Sequence, residues 1–298
     1  MKRKAPAPSV DWPEVIGNNA PLWISAYQRL EQDIGQLPRW QRIAGRFAWF
    51  MGIPAMLERE ISEVSKFLGV NRDVVWAAQL VYDEGWAAGL LQPCFGCTSV
   101  SSDQGFGRNL DYHYPENASD YIYHQNIRVG DTQIHIEGFA GLLGWLAFSG
   151  TTAAASFNQA PNKRPIRRSK CPALFRFREF CHHLETSSAR ELDDEGDCWA
   201  NPAASDFLLH FAKWKRRFIG EFHDSQWVWA RQKGKSVQAN TYQLLDIDAG
   251  PEWNEDSDWR METARDGRSI VESLRRTAHD GTVDTVMLRP QFRPVSLP

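Results

Sequence analysis

Cys97 stands in the run Gly96-Cys97-Thr98-Ser99-Val100, and the chain then turns at Asp103-Gln104-Gly105 and returns as Phe106-Gly107-Arg108-Asn109-Leu110-Asp111. Two short β-rich runs around a Gly-bearing turn read as a hairpin. Centred on Gln104, that hairpin sets Cys97 opposite Asp111 across the ladder. A thiol with a carboxylate facing it, and an arginine three residues earlier on the return strand, holds the parts of a nucleophilic site. In an ideal strand, positions 108 and 111 point to opposite faces. Both reach Cys97 only if the strand bends or bulges.

Other candidate chemistry is sparser. Cys94-Phe95-Gly96-Cys97 has zinc-ligand spacing, but no second Cys-x-x-Cys follows and no βαβ unit surrounds it. Cys94 is therefore read as a packed neighbour, and no metal is expected. His182 and His183 are adjacent on a predicted helix and do not share a face. His113 and His124 are read as satisfied polar residues, with a place at a pocket mouth as the alternative. Five cysteines, odd in number and widely spread, argue against a disulfide framework. A formal net charge of -3 argues against a whole-molecule nucleic-acid binder. The basic start, Met1-Lys-Arg-Lys, leads into no apolar run, and no stretch approaches bilayer-spanning length. The expected compartment is the cytoplasm. The basic runs 163–170 and Lys213-Trp-Lys-Arg-Arg217 are read as solvated, with anionic lipid headgroups as the alternative partner. The apolar cluster Phe47–Ile53 is read as core, with lipid contact as its alternative.

Residues 1–22, rich in Pro, Asn and charge, read as an ordered arm or a tail. Trp23 to about Asp83 has helical periodicity, with Asn71 and Asp73 marking a helix start. After Cys97 come strand-like runs at 97–101, 106–114, 121–129, 132–139 and 151–158, separated by turns such as Gly130-Asp131. A helix follows over Leu174–Leu192, then strands at 207–211, 217–222, 226–231 and 236–242. The acidic run 246–258 reads as a loop, and 260–276 as a final helix. This order suits an α+β fold in which sheets pack between helices. No strand is followed by a glycine-rich phosphate loop, so a dinucleotide-binding fold is not expected.

The residue identities carry a resemblance. Cys97-Thr-Ser-Val with Gly107-Arg108-Asn109-Leu110-Asp111-Tyr112 is similar to the catalytic hairpin of the acid ceramidase, N-acylethanolamine acid amidase and choloylglycine hydrolase family. Glu137-Gly138-Phe139-Ala140-Gly141-Leu142, Ala155-Ser156-Phe157-Asn158-Gln159 and Ser236-Val237-Gln238-Ala239-Asn240-Thr241-Tyr242 resemble three further strands of that family in the same order. Val81-Tyr82-Asp83-Glu84 resembles the segment that closes its α-subunit. The resemblance covers about residues 40–275 and is strongest over 94–160.

It implies a four-layer αββα sandwich of the N-terminal-nucleophile (Ntn) hydrolases, with a helical N-terminal segment, 1–96, and a catalytic unit, 97–298. It implies self-cleavage between Gly96 and Cys97, giving an α/β heterodimer. A thiol with a pKa near ~8.5 and an α-amine near ~7.7–8.0 can then exchange a proton on one residue. By position, Asp111 orients the new amine, and Arg108 lies beside the sulfur. Asn158 (backbone) and Asn240 (side chain) donate to the oxyanion. The family's later arginine falls to Arg260, Arg265 or Arg268, after a longer loop than usual, and Ala239 replaces the common Thr. Glu137, Phe139 and Tyr112 are the expected substrate contacts. The expected activity is hydrolysis of linear, non-peptide amides with an apolar acyl chain, without metal or organic cofactor. The expected partners are a small-molecule amide and, peripherally, a membrane, but no nucleic acid. An acyltransferase of the same fold and a non-catalytic binding protein are the alternatives.

Overall fold

A computed structural model of the chain describes residues 10–35, 54–87, 95–112, 118–129, 132–160, 171–187, 203, 206–223, 226–248, 250–280 and 282–288. The Phe47–Ile53 cluster, the basic run 163–170, Cys94 and His113 lie outside the described residues.

Of the run read as an ordered arm or a tail, the described residues from Val10 onward contribute to the core. Helix α1 (Trp12–Ile16) is capped by Asp11, whose side chain accepts from the Glu14 N–H, and Pro13 sits in its first turn. Both are helix-start signals. Trp12, Val15 and Ile16 are buried at i, i+3 and i+4 spacing. This stripe is only one turn long, which is why Pro and Asn nearby mask it in the sequence. A 3-10 turn (Gly17–Asn19) leads into α2 (Ala20–Gly35), whose Trp23 packs 5.7 Å from Trp12 and 5.8 Å from Tyr123, centroid to centroid. Helix α3 (Ala55–Leu68) buries Leu57, Glu60, Ile61 and Val64 and ends at Gly69 in the left-handed conformation. Helix α4 (Arg72–Ala87) starts where expected, with the Asn71 side chain accepting from Asp73 N–H at 2.9 Å.

The next elements are β1 (Phe95–Ser102), β2 (Gly105–Tyr112), a 3-10 turn (Ala118–Tyr121), β3 (Ile122–Val129), β4 (Thr132–Phe139), β5 (Ala147–Ser149) and β6 (Ala153–Gln159). Then come α5 (Ala173–Thr186), β7 (Phe207–Lys213), β8 (Arg216–His223), β9 (Gln226–Gln232), β10 (Ser236–Gln238), α6 (Pro251–Asp266), α7 (Ile270–Thr277) and β11 (Thr282–Leu288). The strands form two antiparallel sheets, β10-β1-β2-β11 and β3-β4-β5-β6-β7-β8-β9. The fold is α+β.

Side-chain alternation along β1 shows how the sheets and helices meet. Ser99 and Ser101 point toward the seven-stranded sheet, reaching Asn158 and His210. Val100 points the other way, into a cluster with Val237, Met261, Ala264, Ile270 and Leu274, where α6 and α7 cover the smaller sheet. Between the sheets the packing residues are small (Ala147, Ala154, Ala212) around Phe106 and Leu288. Small side chains let the two sheets approach closely enough for polar groups on one to reach the other. The N-terminal helices and α5 share the largest core with the seven-stranded sheet.

Several expectations are corrected. The run 246–258 is not all loop: Pro251 occupies the first turn of α6 behind Gly250, the common position for proline in a helix. The helix expected over 260–276 is two helices, broken at 267–269. The strand expected over 236–242 leaves the ladder after Gln238, whose side chain donates to Thr241 O at 3.1 Å and shapes the departure. Strands β5 and β11 were not expected. β5 is three residues long and buried throughout, so it shows no alternation. β11 (Thr-Val-Asp-Thr-Val-Met-Leu) lacks a regular alternation, its register shifts between Thr282 and Asp284, and it pairs with β2 as an edge strand.

Candidate active site

Three side chains converge on Cys97. Its backbone N–H donates to Asn240 Oδ1 at 2.8 Å, and its carbonyl accepts from Arg260 Nη1 at 2.9 Å. Its Sγ lies 3.3 Å from Arg108 Nη2. Cys97 is 1% exposed. Burial pushes the thiol pKa up, the Arg108 and Arg260 charges pull it down, and Asp111 and Glu137 push it up; the net direction is upward. Burial thus outweighs the neighbouring guanidinium, and the sulfur is a thiol at neutral pH.

The hairpin register differs from expectation by one residue. Asp103 and Gln104 form a two-residue turn, and Gly105 already pairs with Ser102. Cys97 therefore faces Leu110, and Asp111 faces Gly96. The expected pairing assumed a longer loop; loop length sets register. One residue of slip exchanges faces. Arg108, two residues from Leu110, lies on the Cys97 side and needs no bulge to reach the sulfur. Asp111 lies on the opposite face, across from the Gly96–Cys97 peptide. There its Oδ1 accepts from Thr282 Oγ1 at 2.6 Å, and its Oδ2 stands 3.4 Å from both Arg260 Nη1 and His279 Nε2. Burial raises the Asp111 pKa, but the His279 and Thr282 hydrogen bonds and the Arg260 charge outweigh it, and the carboxyl is held below its usual range.

Arg260 is the member of the arginine trio that reaches the site. Arg265, in the last turn of α6, and Arg268, in the break between α6 and α7, are both exposed. Arg260 also touches Thr98 Oγ1 (3.3 Å) and Asn240 Oδ1 (3.0 Å), and it pairs with Asp256 one helical turn earlier. Its position depends on the helix that begins at Pro251. Read as loop, 246–258 hides the Asp256–Arg260 i,i+4 spacing.

Both asparagines are fully buried. Asn240 turns its carbonyl to Cys97 N–H and Arg260 and its amide to Gln159 O (2.8 Å), so toward the Cys97 nitrogen it acts as an acceptor. Asn158 donates to Gln238 O and Ala239 O at 3.1 Å each, tying β6 to the end of β10. Its Oδ1 accepts from Ser156 (3.1 Å) and Ser99 (3.4 Å). Behind Ser99 lies His210, with ring nitrogens 3.1 Å from Ser99 Oγ and 2.8 Å from Ser101 Oγ. Burial drives its pKa down to about 3, so it is a neutral hydrogen-bonding link between the sheets.

Of the expected substrate contacts, Glu137 is beside the site. It is fully buried, its Oε1 is 3.6 Å from Arg108 Nη1, and neither carboxylate oxygen has a hydrogen-bond partner among the described residues. Burial raises its pKa, against the lowering effect of Arg108. Arg108 Nη1 spends its hydrogen bond on Leu146 O at 2.6 Å. Phe139 is half-buried and stacks on Tyr121 at 5.6 Å. Tyr112 ends β2 opposite Phe95; its side chain is outside the described residues. His124 pairs with Asp284 at 2.8 Å, joining edge strands of the two sheets.

Thr282, His279, Asp256 and Glu221 are the site-building residues that the sequence reading missed. Glu221 accepts from the backbone N–H groups of Gln243, Leu244 (2.9 Å) and Leu245 (2.8 Å), anchoring the segment that presents Asn240. Nothing local marks Glu221 or His279. Among the described residues no helix is long and apolar enough to cross a membrane. Comparison with known proteins finds no family model and no curated protein that matches this chain.

Proposed function

We propose that this chain is a self-processing cysteine amidohydrolase of the Ntn type, cutting linear amides with an apolar acyl chain through a Cys97 acyl-enzyme. The observation that carries the reading is the guanidinium of Arg108 at 3.3 Å from Cys97 Sγ, while Asn240 and Arg260 hold the backbone nitrogen and oxygen of the same residue. A structural cysteine has no use for fixed polar groups on all three of those atoms. The helix, sheet, sheet, helix order around β1 supports the four-layer αββα reading, with 1–96 and 97–298 as the two products.

In the cut, Cys97 Sγ attacks the Gly96 carbonyl carbon as its proton leaves. The C–N bond breaks, the nitrogen of residue 97 takes a proton, and a thioester joins Gly96 to Sγ. Water then hydrolyses the thioester, releasing the Gly96 carboxylate and the thiol. In turnover the neutral amine of Cys97 accepts the thiol proton, and the sulfur attacks the substrate carbonyl. The leaving amine takes that proton, and water releases the acid. Arg108 favours the anionic sulfur, Asn240 Oδ1 orients the amine, and Asp111 with Arg260 fixes the opposite face of the strand. The backbone N–H of Asn158 and the Asn240 amide are the proposed oxyanion donors, a type of contact worth roughly 2.7–4 kcal/mol. Glu137, Phe139 and Tyr112 are the proposed substrate contacts.

The test is direct. Intact mass and N-terminal sequencing of the purified protein should show fragments 1–96 and 97–298, the larger beginning at Cys97. Cys97→Ala should stay whole and inactive toward N-acyl amides, while Cys94→Ala should cut normally. An uncut wild-type chain at both mildly acidic and neutral pH would overturn the proposal.

A further inference from the structure

The turn between α7 and β11 is aimed at Asp111. The turn is closed by two bonds: His279 N–H donates to the Thr282 side-chain Oγ1 at 3.0 Å, and Thr282 N–H donates to His279 O at 2.8 Å. Thr282 Oγ1 then donates to Asp111 Oδ1 at 2.6 Å, while His279 Nε2 stands 3.4 Å from Oδ2. One turn thus addresses both oxygens of a carboxylate that is almost wholly buried, and it does so across from the Gly96–Cys97 peptide. Linked hydrogen bonds of this kind polarise one another.

The other cation at Asp111 is divided. Arg260 also serves Cys97 O, Thr98 Oγ1, Asn240 Oδ1 and Asp256. A guanidinium does not titrate in the working range of a protein. The imidazole does, and the His279 side chain is 34% exposed, so it can exchange protons with solvent.

We propose that His279 is a positioning residue for Asp111, and that protonation of this imidazole sets how firmly the carboxylate is held beside the 96–97 peptide. The claim rests on the reading of Cys97 as a self-cleaving nucleophile and adds a pH control to it. Among the described residues, the charged groups that act on His279 include Asp111 on β2 and Arg260 and Asp256 on α6; Thr282 on β11 contributes a neutral hydroxyl. The Asp111 hydrogen bond and charge raise the His279 pKa against burial and Arg260. The hold is therefore complete below the ordinary histidine range and is lost as pH rises through the raised value.

The experiment uses the full chain in two measurements. First, the imidazole of His279 is titrated by NMR in Cys97→Ala, with His279→Gln identifying the signal and Asp111→Asn removing the partner. Titration above pH 6.5, shifted downward by Asp111→Asn, is the expected result; an ordinary value that ignores Asp111→Asn overturns the proposal. Second, the rate of the Gly96–Cys97 cut is followed from pH 5.5 to 8.5 in the wild type and in His279→Arg, which keeps its charge throughout. Because both share the thiol's own titration, their ratio isolates residue 279. That ratio should fall about tenfold as pH rises, the size of a lost charge-assisted hydrogen bond. A flat ratio overturns the control. Failure of the wild type to cut at any pH sinks the amidase reading and the control with it, while the NMR titration still decides whether the pairing with Asp111 stands.

Discussion

Replacing Arg178 by Met should destabilise the protein by about 4 kcal/mol, the middle of the range for breaking a buried ion pair. Arg178 on α5 makes two contacts of 2.7 Å with Glu60 on α3, one to each carboxylate oxygen, and donates to Leu143 O at 2.9 Å. Its guanidinium lies over Phe175 (4.7 Å) and Trp12 (5.7 Å). Both charged partners are buried. Methionine of similar length retains most of the packing but leaves Glu60 as a buried anion, its remaining donor the Val10 N–H at 3.2 Å. It also strands the Leu143 carbonyl. The cost therefore comes from the orphaned carboxylate more than from lost attraction. Hence a paired replacement, Glu60→Leu with Arg178→Met, should cost less than Arg178→Met alone. Urea unfolding of the four species in the uncut Cys97→Ala background, followed by tryptophan fluorescence, measures the cycle. A loss below about 1 kcal/mol for Arg178→Met, or a double variant that costs more than Arg178→Met alone, would refute the reasoning. The pair joins the chain before Cys97 to the chain after it. Under the proposed cut at Gly96–Cys97 it would be one of the contacts that keep the two fragments together.

Two further predictions concern the site and its frame. Arg108→Gln removes the positive charge nearest the sulfur and leaves burial and Glu137 to raise the thiol pKa further, so alkylation of Cys97 by iodoacetamide at pH 7.5 should slow several-fold; an unchanged rate would show that Arg108 does not act on the sulfur. Gly144→Ala puts a Cβ 2.7 Å from the Leu174 carbonyl carbon and 2.4 Å from its Cβ. Because a backbone atom cannot swing aside, overpacking of about 1–3 kcal/mol should appear as a lower melting temperature.

The elements most readable in advance are those whose signal repeats over several residues. Strands β7, β8 and β9 were expected within a residue or two of where they lie, because a β-rich run between turn signals suffices to mark a buried strand. Helix α5 was likewise legible from its apolar stripe. Helix α1 was not, since one turn of periodicity is too little to rise above the Pro and Asn around it. Strand β11 escapes the reading because Thr-Val-Asp-Thr-Val-Met-Leu breaks the two-residue alternation at its register shift, although Asp280-Gly281 is a turn signal before it. The start of α6 reads as loop because its acidic residues hide any apolar stripe, while Pro251 in the first turn costs the helix no hydrogen bond.

The candidate site divides along a similar line. The hairpin with Cys97, Arg108 and Asp111 was legible because all three lie within fifteen residues and share one turn. Its register was not, since moving the turn centre by half a residue exchanges the partner of Cys97 from Asp111 to Leu110. Arg260 could be named only as one of three. His279, Thr282 and Glu221 could not be named at all.

By itself the sequence determined where strands and helices can form, which cysteine stands in a hairpin with an arginine, and that the class is α+β. Those are matters of local periodicity and turn chemistry. Only the tertiary structure decided that Asn240 and Arg260, 143 and 163 positions away, would seize the backbone nitrogen and oxygen of Cys97. It also decided that Asp111 would face away from the sulfur, into a turn near the end of the chain. Local signals specify dihedral angles, whereas such meetings depend on which buried faces pack together, and close packing settles that only when the whole chain is in place.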